Sequence, residues 1–176
     1  LAGSRELAQH LVGVLGNSES LGRHLLAHPE HLDWLEGQVQ PLTAKGIRAD
    51  PIGHLEWKAT AEKIASDRAA GVSGPLVLVG HSQGGNNVVD MARELEKQSI
   101  PVDLIVTIAP FLQEPVPANV VRAINYYQSP GWGSSLTAAP GFKGDISNIN
   151  VADDLGILHI NIDKDARVQA AILGAI

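Results

Sequence analysis

Gly80-His81-Ser82-Gln83-Gly84 follows directly on the apolar run Leu76-Val77-Leu78-Val79. It leads into a segment whose Val88, Ala92 and Leu95 recur at helical spacing. The order is strand, sharp turn, helix. A serine held in such a turn projects its hydroxyl above the end of the sheet. The backbone is crowded there, so Gly80 and Gly84 are expected to be places where no side chain fits. The helix that starts after Ser82 points its positive end at any negative charge developing beside the serine. The backbone N–H of Gln83 is then one half of an oxyanion hole. The same glycines would also suit an ordinary strand–helix turn or a phosphate cradle.

The rest of residues 42–176 keeps a β/α rhythm. Residues 46–52 read as a short strand and 56–70 as a helix with Ile64 and its alanines inward. Gly74-Pro75 breaks the chain before the strand at 76–79. Residues 103–109 form a strand too apolar to be half exposed, which places it in a parallel sheet covered on both faces. The proline-rich 111–119 is a loop, 120–127 a strand, and 129–144 a Gly/Pro loop carrying Trp132 and Phe142. A strand at 146–151 and a helix at 165–176, with Val168, Ile172 and Ala175 inward, close the pattern. Alternation of this kind predicts an α/β fold with a mostly parallel, doubly wound sheet. Sites in such sheets lie beyond the carboxyl ends of the strands.

Residues 1–41 read differently. Ser4 is placed to cap a helix carrying Leu7, Leu11 and Val14/Leu15, and Ser18 to cap another with Leu21, Leu25 and Leu26. Pro29 suits the first turn of a third helix, stopped by Gly37. This region is therefore expected to be a helical N-terminal segment ahead of the domain at 42–176. His10, His24, His28 and His31 fall here, with no ligand pair sharing one face with a carboxylate, so no metal site is expected. The stretch from Val14 to Glu30, within 1–36, resembles a helical segment of bacterial glutamine-synthetase adenylyltransferases. It carries no acidic nucleotidyl-transfer motif, and the resemblance implies an end foreign to the body of the fold.

Charge and composition exclude several classes. The net charge of −6 leaves no footprint for nucleic acid. The chain has no cysteine, which rules out disulfides, zinc–thiolate sites and a cysteine nucleophile. No apolar run is long enough to span a membrane, no secretory signal is apparent, and Leu1 suggests trimming or a fragment. No cofactor is expected. Compartment and oligomeric state are not legible.

His159 is the one histidine after Ser82, and it stands in the loop beyond the carboxyl end of the last strand. That is where a general base for the serine belongs. The acid is less determined. Asp103 and Asp145 precede their strands, and Asp90 rides down the helix after Ser82. Glu114, Asp153 and Asp154 remain, and Asp154, five residues before His159, is chosen to orient its Nδ1. A serine–histidine dyad without an acid stays open.

With Gly80-His81-Ser82-Gln83-Gly84, Val116-Pro117-Ala118-Asn119-Val120, Asn125-Tyr126-Tyr127 and His159-Ile160-Asn161-Ile162-Asp163, residues 42–176 resemble α/β-hydrolases of the lipase, esterase and thioesterase type. The resemblance implies a minimal α/β-hydrolase-like fold, Ser82 as nucleophile, His159 as base and the Gln83 N–H as oxyanion donor. Such folds take a second donor from the loop after an apolar strand that precedes the one at 46–52. Residues 11–17 are the sole candidate, with Gly16 or Asn17 as donor, and they read equally as helix. Trp132, Phe111 and Tyr127 could line an apolar acyl pocket. Two readings follow. One is a hydrolase of small carboxylic esters or thioesters working through an acyl-enzyme. The other is a catalytically impaired binding protein of the same fold.

Overall fold

The computed structural model describes residues 9–15, 47–111, 114–154, 156–159 and 161–176. In chain order the elements are β1 (Gln9–Leu15), β2 (Ile47–Gly53), α1 (Trp57–Ala69), β3 (Leu76–His81), α2 (Gln83–Glu96), β4 (Val102–Ile108), β5 (Val120–Tyr127), β6 (Asp145–Asn150) and α3 (Ala166–Ala175). All six strands join one sheet in the order β2-β1-β3-β4-β5-β6. Every neighbouring pair is parallel. This is the α/β class that the alternating pattern predicts.

β1 corrects the expectation of a helix over residues 4–15. Leu11-Val12-Gly13-Val14-Leu15 satisfies helical spacing, yet it lies between β2 and β3 and pairs along its length with both. Glycine disfavours a helix interior by about 1 kcal/mol, and β-branched valines favour a pleated surface. A continuous apolar run also suits a strand with neighbours on both sides. The other expected helices of residues 1–41 lie outside the described residues.

The chain thus passes from β1 outward to β2 and then returns across β1, by way of α1, to start β3. Winding reverses between β1 and β3. The crevice beyond the carboxyl ends of these two strands is the switch point where open α/β sheets take their ligands. β3 delivers Ser82 to that crevice.

Alternate residues of the strands supply two cores. On one face Leu76, Leu78, Ile105 and Ala123 pack with Ala61 and Ile64 of α1 and with Val88, Met91, Ala92 and Leu95 of α2. On the other Val77, Leu104, Val106, Ile124 and Tyr126 meet Val168 and Ile172 of α3, together with Ile157 and Ile162. Burying each such large aliphatic side chain contributes about 1.5–3 kcal/mol before entropy is counted.

A polar line, buried at Thr107 and Asn125, crosses the half of the sheet away from β1. Thr107 Oγ1 donates to Asn125 Oδ1 at 2.9 Å. The Asn125 amide donates to the Ser134 carbonyl at 2.8 Å and to Asn148 Oδ1 at 2.9 Å. Asn148 exchanges hydrogen bonds with the backbone of Leu136. The line therefore fastens the 128–144 loop over the sheet. Val116 fixes the same loop from the other direction, donating to the Thr137 carbonyl at 2.8 Å and accepting from Ala139 at 2.9 Å. Among the described residues no helix is long and apolar enough to cross a membrane.

Candidate active site

Ser82 sits between β3 and α2 with φ 54° and ψ −121°, in the left-handed region that a serine rarely adopts. Such strain persists only where the surroundings over-determine it. Here they do. The Ser82 N–H donates to the Ile108 carbonyl at the end of β4, at 2.8 Å. A Cβ on Gly80 would lie 2.1 Å from the Gly84 carbonyl oxygen, so the strand can turn into α2 only over a bare residue. A Cβ on Gly85 would come within 2.9 Å of Pro110. Ala109, buried at the end of β4, is also left-handed, with φ 44°.

His159 reaches this turn from the loop after β6. Its Nε2 lies 3.2 Å from Ser82 Oγ, across 77 residues of chain. Two contacts hold the loop. His81 Nε2 donates to the His159 backbone carbonyl at 3.0 Å, so Nε2 carries a proton. Gln128, at the end of β5, donates its side-chain amide to the Ile157 carbonyl.

The His159 ring lies among aromatics. Trp132 stacks on it with ring centres 4.4 Å apart and planes 29° apart. Phe111 stands edge-on to both, 5.5 Å from Trp132 and 6.0 Å from His159. His81 is 5.2 Å away. Burial, and secondarily the neighbouring His81, push the His159 pKa down to about 4. The imidazole is therefore neutral at physiological pH, the form a general base needs.

The structure does not bring Asp154 to His159 Nδ1. Its carboxylate is held by the Arg167 guanidinium of α3 and accepts from the Gly156 N–H at 3.1 Å. Five residues of chain gave it reach to His159, but a permanent cation nearby is the stronger partner. Glu114 pairs with Arg93 at 3.0 Å, and Asp153 is exposed. Asp103 caps the opposite end of the sheet by accepting from the Leu76 N–H at 2.7 Å. His159 Nδ1 is buried with no hydrogen-bond partner among the described residues.

The backbone N–H of Gln83 opens α2, in the first turn where amide protons have no acceptor within the helix. Leu15, the last residue of β1, is in register with His81. The strand that a second donor requires is thus present beside the serine. Gly16 and Asn17 lie outside the described residues.

Trp132 and Phe111 lie beside His159, 45% and 49% exposed, with Trp132 turned to its ring. Sequence reasoning missed His81, Gln128 and Asn86, whose Oδ1 accepts from the Phe111 N–H at 3.0 Å. His81 lies within the Gly80–Gly84 turn itself, and its position was the available signal. Among the described residues no three His, Cys, Asp or Glu side chains come together to hold a metal ion.

No family model matches this chain, and no curated protein does. The adenylyltransferase resemblance finds no support there. Among solved structures, a protein of Xanthomonas campestris pv. campestris ascribed to the alpha/beta superfamily of hydrolases is similar. It is 15% identical with a TM-score of 0.44, and the match covers 96% of this chain and 99% of that one. At that similarity the likeness bears on neither the site residues nor the reaction.

Proposed function

We propose that the protein is a serine hydrolase that cleaves a carboxylic ester or thioester through an acyl-enzyme. The observation that carries this reading is the 3.2 Å approach of His159 Nε2 to Ser82 Oγ on a strained strand–helix turn. Ser82 Oγ attacks the carbonyl carbon and its proton passes to His159 Nε2. The oxyanion is held by the Gln83 N–H and by a second donor after β1, for which Gly16 is the sequence candidate. Collapse breaks the bond to the alcohol or thiol, which leaves with the proton from His159. Water then attacks the acyl carbon, gives its proton to His159, and the acid departs from Ser82, which recovers its hydrogen.

The 128–144 loop is fastened to the sheet rather than free to close over the site. That favours short, soluble acyl substrates. The exposed flanks of Phe111 and Trp132 offer them an apolar wall.

The bare Nδ1 of His159 supports a second reading, an impaired enzyme that binds ligands in the same crevice. A base at Nε2 needs its proton on Nδ1, and nothing among the described residues accepts it there. Hydrolysis of p-nitrophenyl acetate and butyrate by wild type and Ser82→Ala separates the two. Release that depends on Ser82, together with fluorophosphonate labelling of Ser82, upholds the hydrolase. Equal slow release from both proteins leaves the binding reading.

A further inference from the structure

We propose that Trp132 is a positioning residue for His159, holding the imidazole by its face and stabilising it as a cation where, among the described residues, no carboxylate meets its edge. The inference rests on the hydrolase reading above and adds to it how the base is held.

A carboxylate at Nδ1 ordinarily does two things for such a base. It fixes the plane of the ring, and it offsets the positive charge that arises when the serine proton arrives. Here the carboxylates near the loop are committed elsewhere. Asp154 is on Arg167 and Glu114 is on Arg93. Both duties can instead fall to a stacked indole. The 4.4 Å separation and 29° tilt set the imidazole plane. The face of tryptophan is the best of the aromatic faces for a cation within about 6 Å. Phe111, edge-on to Trp132, limits the swing of the indole.

The backbone is built around this stack. Trp132 lies between Gly131 and Gly133, both left-handed at φ 143° and 84°. A Cβ on Gly133 would come within 3.2 Å of Tyr127 and 3.3 Å of the Pro110 carbonyl, so the turn after Trp132 closes tightly onto the strand end. Gln128 then joins the two halves. Its backbone N–H donates to the Trp132 carbonyl at 2.9 Å, and its side-chain amide donates to the Ile157 carbonyl, two residues before His159. One residue thus fixes both the backbone at Trp132 and the loop that bears the base. His81 from β3 is the titratable group facing His159. The partners from the other elements, Ser82, Trp132 and Phe111, bring no charge.

The test compares wild type with Trp132→Leu and Trp132→Phe by two readouts. The first is the His159 pKa, followed by NMR of the ring, which needs no activity. Because truncating the indole also lets water reach the ring, the comparison is between the two variants: the leucine variant, which lacks an aromatic face, should titrate about one unit below the phenylalanine variant, which keeps one. The second is turnover of p-nitrophenyl acetate. The expected loss is about 10- to 30-fold in kcat for leucine, with partial recovery for phenylalanine and KM within about twofold. A His159 pKa no lower in the leucine variant than in the phenylalanine variant overturns the proposal, because the indole then acts only as cover. A loss confined to KM also overturns it, making Trp132 a substrate contact. Absence of Ser82-dependent turnover in wild type would remove the hydrolase reading instead, and the titration would still decide whether the stack supports the cation.

Discussion

His81, the residue before the serine, donates through Nε2 to the backbone carbonyl of His159 at 3.0 Å. The strand that carries the nucleophile therefore also grips the loop that carries its base. That link makes the approach of Ser82 and His159 depend on a side chain outside the proton-transfer pair. His81→Phe keeps a ring in place and removes the donor. A hydrogen bond of this kind contributes about 0.5–1.5 kcal/mol net, so kcat should fall about 2- to 10-fold with KM little changed. His81→Gln, which restores an N–H, should recover part of the loss. His81 also pushes the His159 pKa down, so the phenylalanine variant should show it raised in an NMR titration.

The pH dependence follows from His159. Burial, then His81, hold its pKa near 4 in the folded chain, against about 6.5 when unfolded. The base is neutral throughout the range above, so kcat/KM should stay flat from about pH 8 down to about pH 5 and fall only below that. A profile that breaks near pH 6.5 would contradict the burial described. Stability moves with it. Between these two pKa values the unfolded chain binds more protons than the folded one, so stability rises with pH across that window. It is complete above about 6.5 and lost as pH falls toward 4. Urea unfolding should register about 2 kcal/mol of this, allowing for solvent screening at a partly exposed ring. His159→Gln should abolish that part of the dependence.

Asp154→Asn separates a triad from a dyad. Removing a triad carboxylate lowers turnover by about 10⁴. Because Asp154 is paired with Arg167 rather than His159, the expected kcat/KM stays within about twofold of wild type. The variant should lose no more than about 1 kcal/mol in urea unfolding, as an exposed ion pair does. A collapse in activity with the fold intact would return Asp154 to the mechanism.

Gly80→Ala probes the turn itself. The added methyl carbon would sit 2.1 Å from the Gly84 carbonyl oxygen and 2.7 Å from the Gly85 nitrogen, both backbone atoms that cannot step aside. Overpacking in a well-filled interior costs about 1–3 kcal/mol and occasionally more, and this site belongs to the upper end. Thermal unfolding should show a fall of at least about 6 °C, with Ser82-dependent hydrolysis lost alongside.

The β/α rhythm of residues 47–176 was legible because each element there announces itself locally. α2 buries Val88, Ala92 and Leu95 along one stripe, and β4 is buried on both faces. The placement of His159 beside Ser82 was readable from chain order and strand polarity, both of which survive without knowledge of packing. β1 was not, since Leu11, Val14 and Leu15 satisfy a helical stripe and a buried strand equally well, and only pairing with β2 and β3 decides between them. The partner that Asp154 takes was hidden for a different reason. The proximity of Asp154 to His159 was visible in the chain, but Arg167 comes from a separate helix that folds back against the same loop. Trp132 could be placed near the site, but whether an aromatic side chain faces a ligand or a catalytic ring is a matter of tertiary geometry.

The position of β1 bears on how the molecule is assembled. It leaves the ribosome before either strand it pairs with, and one of those two neighbours ends only at His81. Until that later segment emerges, one flank of β1 offers its peptide groups to whatever is near. A nascent chain stalled between β2 and β3 would carry an open seam in the middle of its future sheet, and recruitment of a holding chaperone at that length is the foreseeable result.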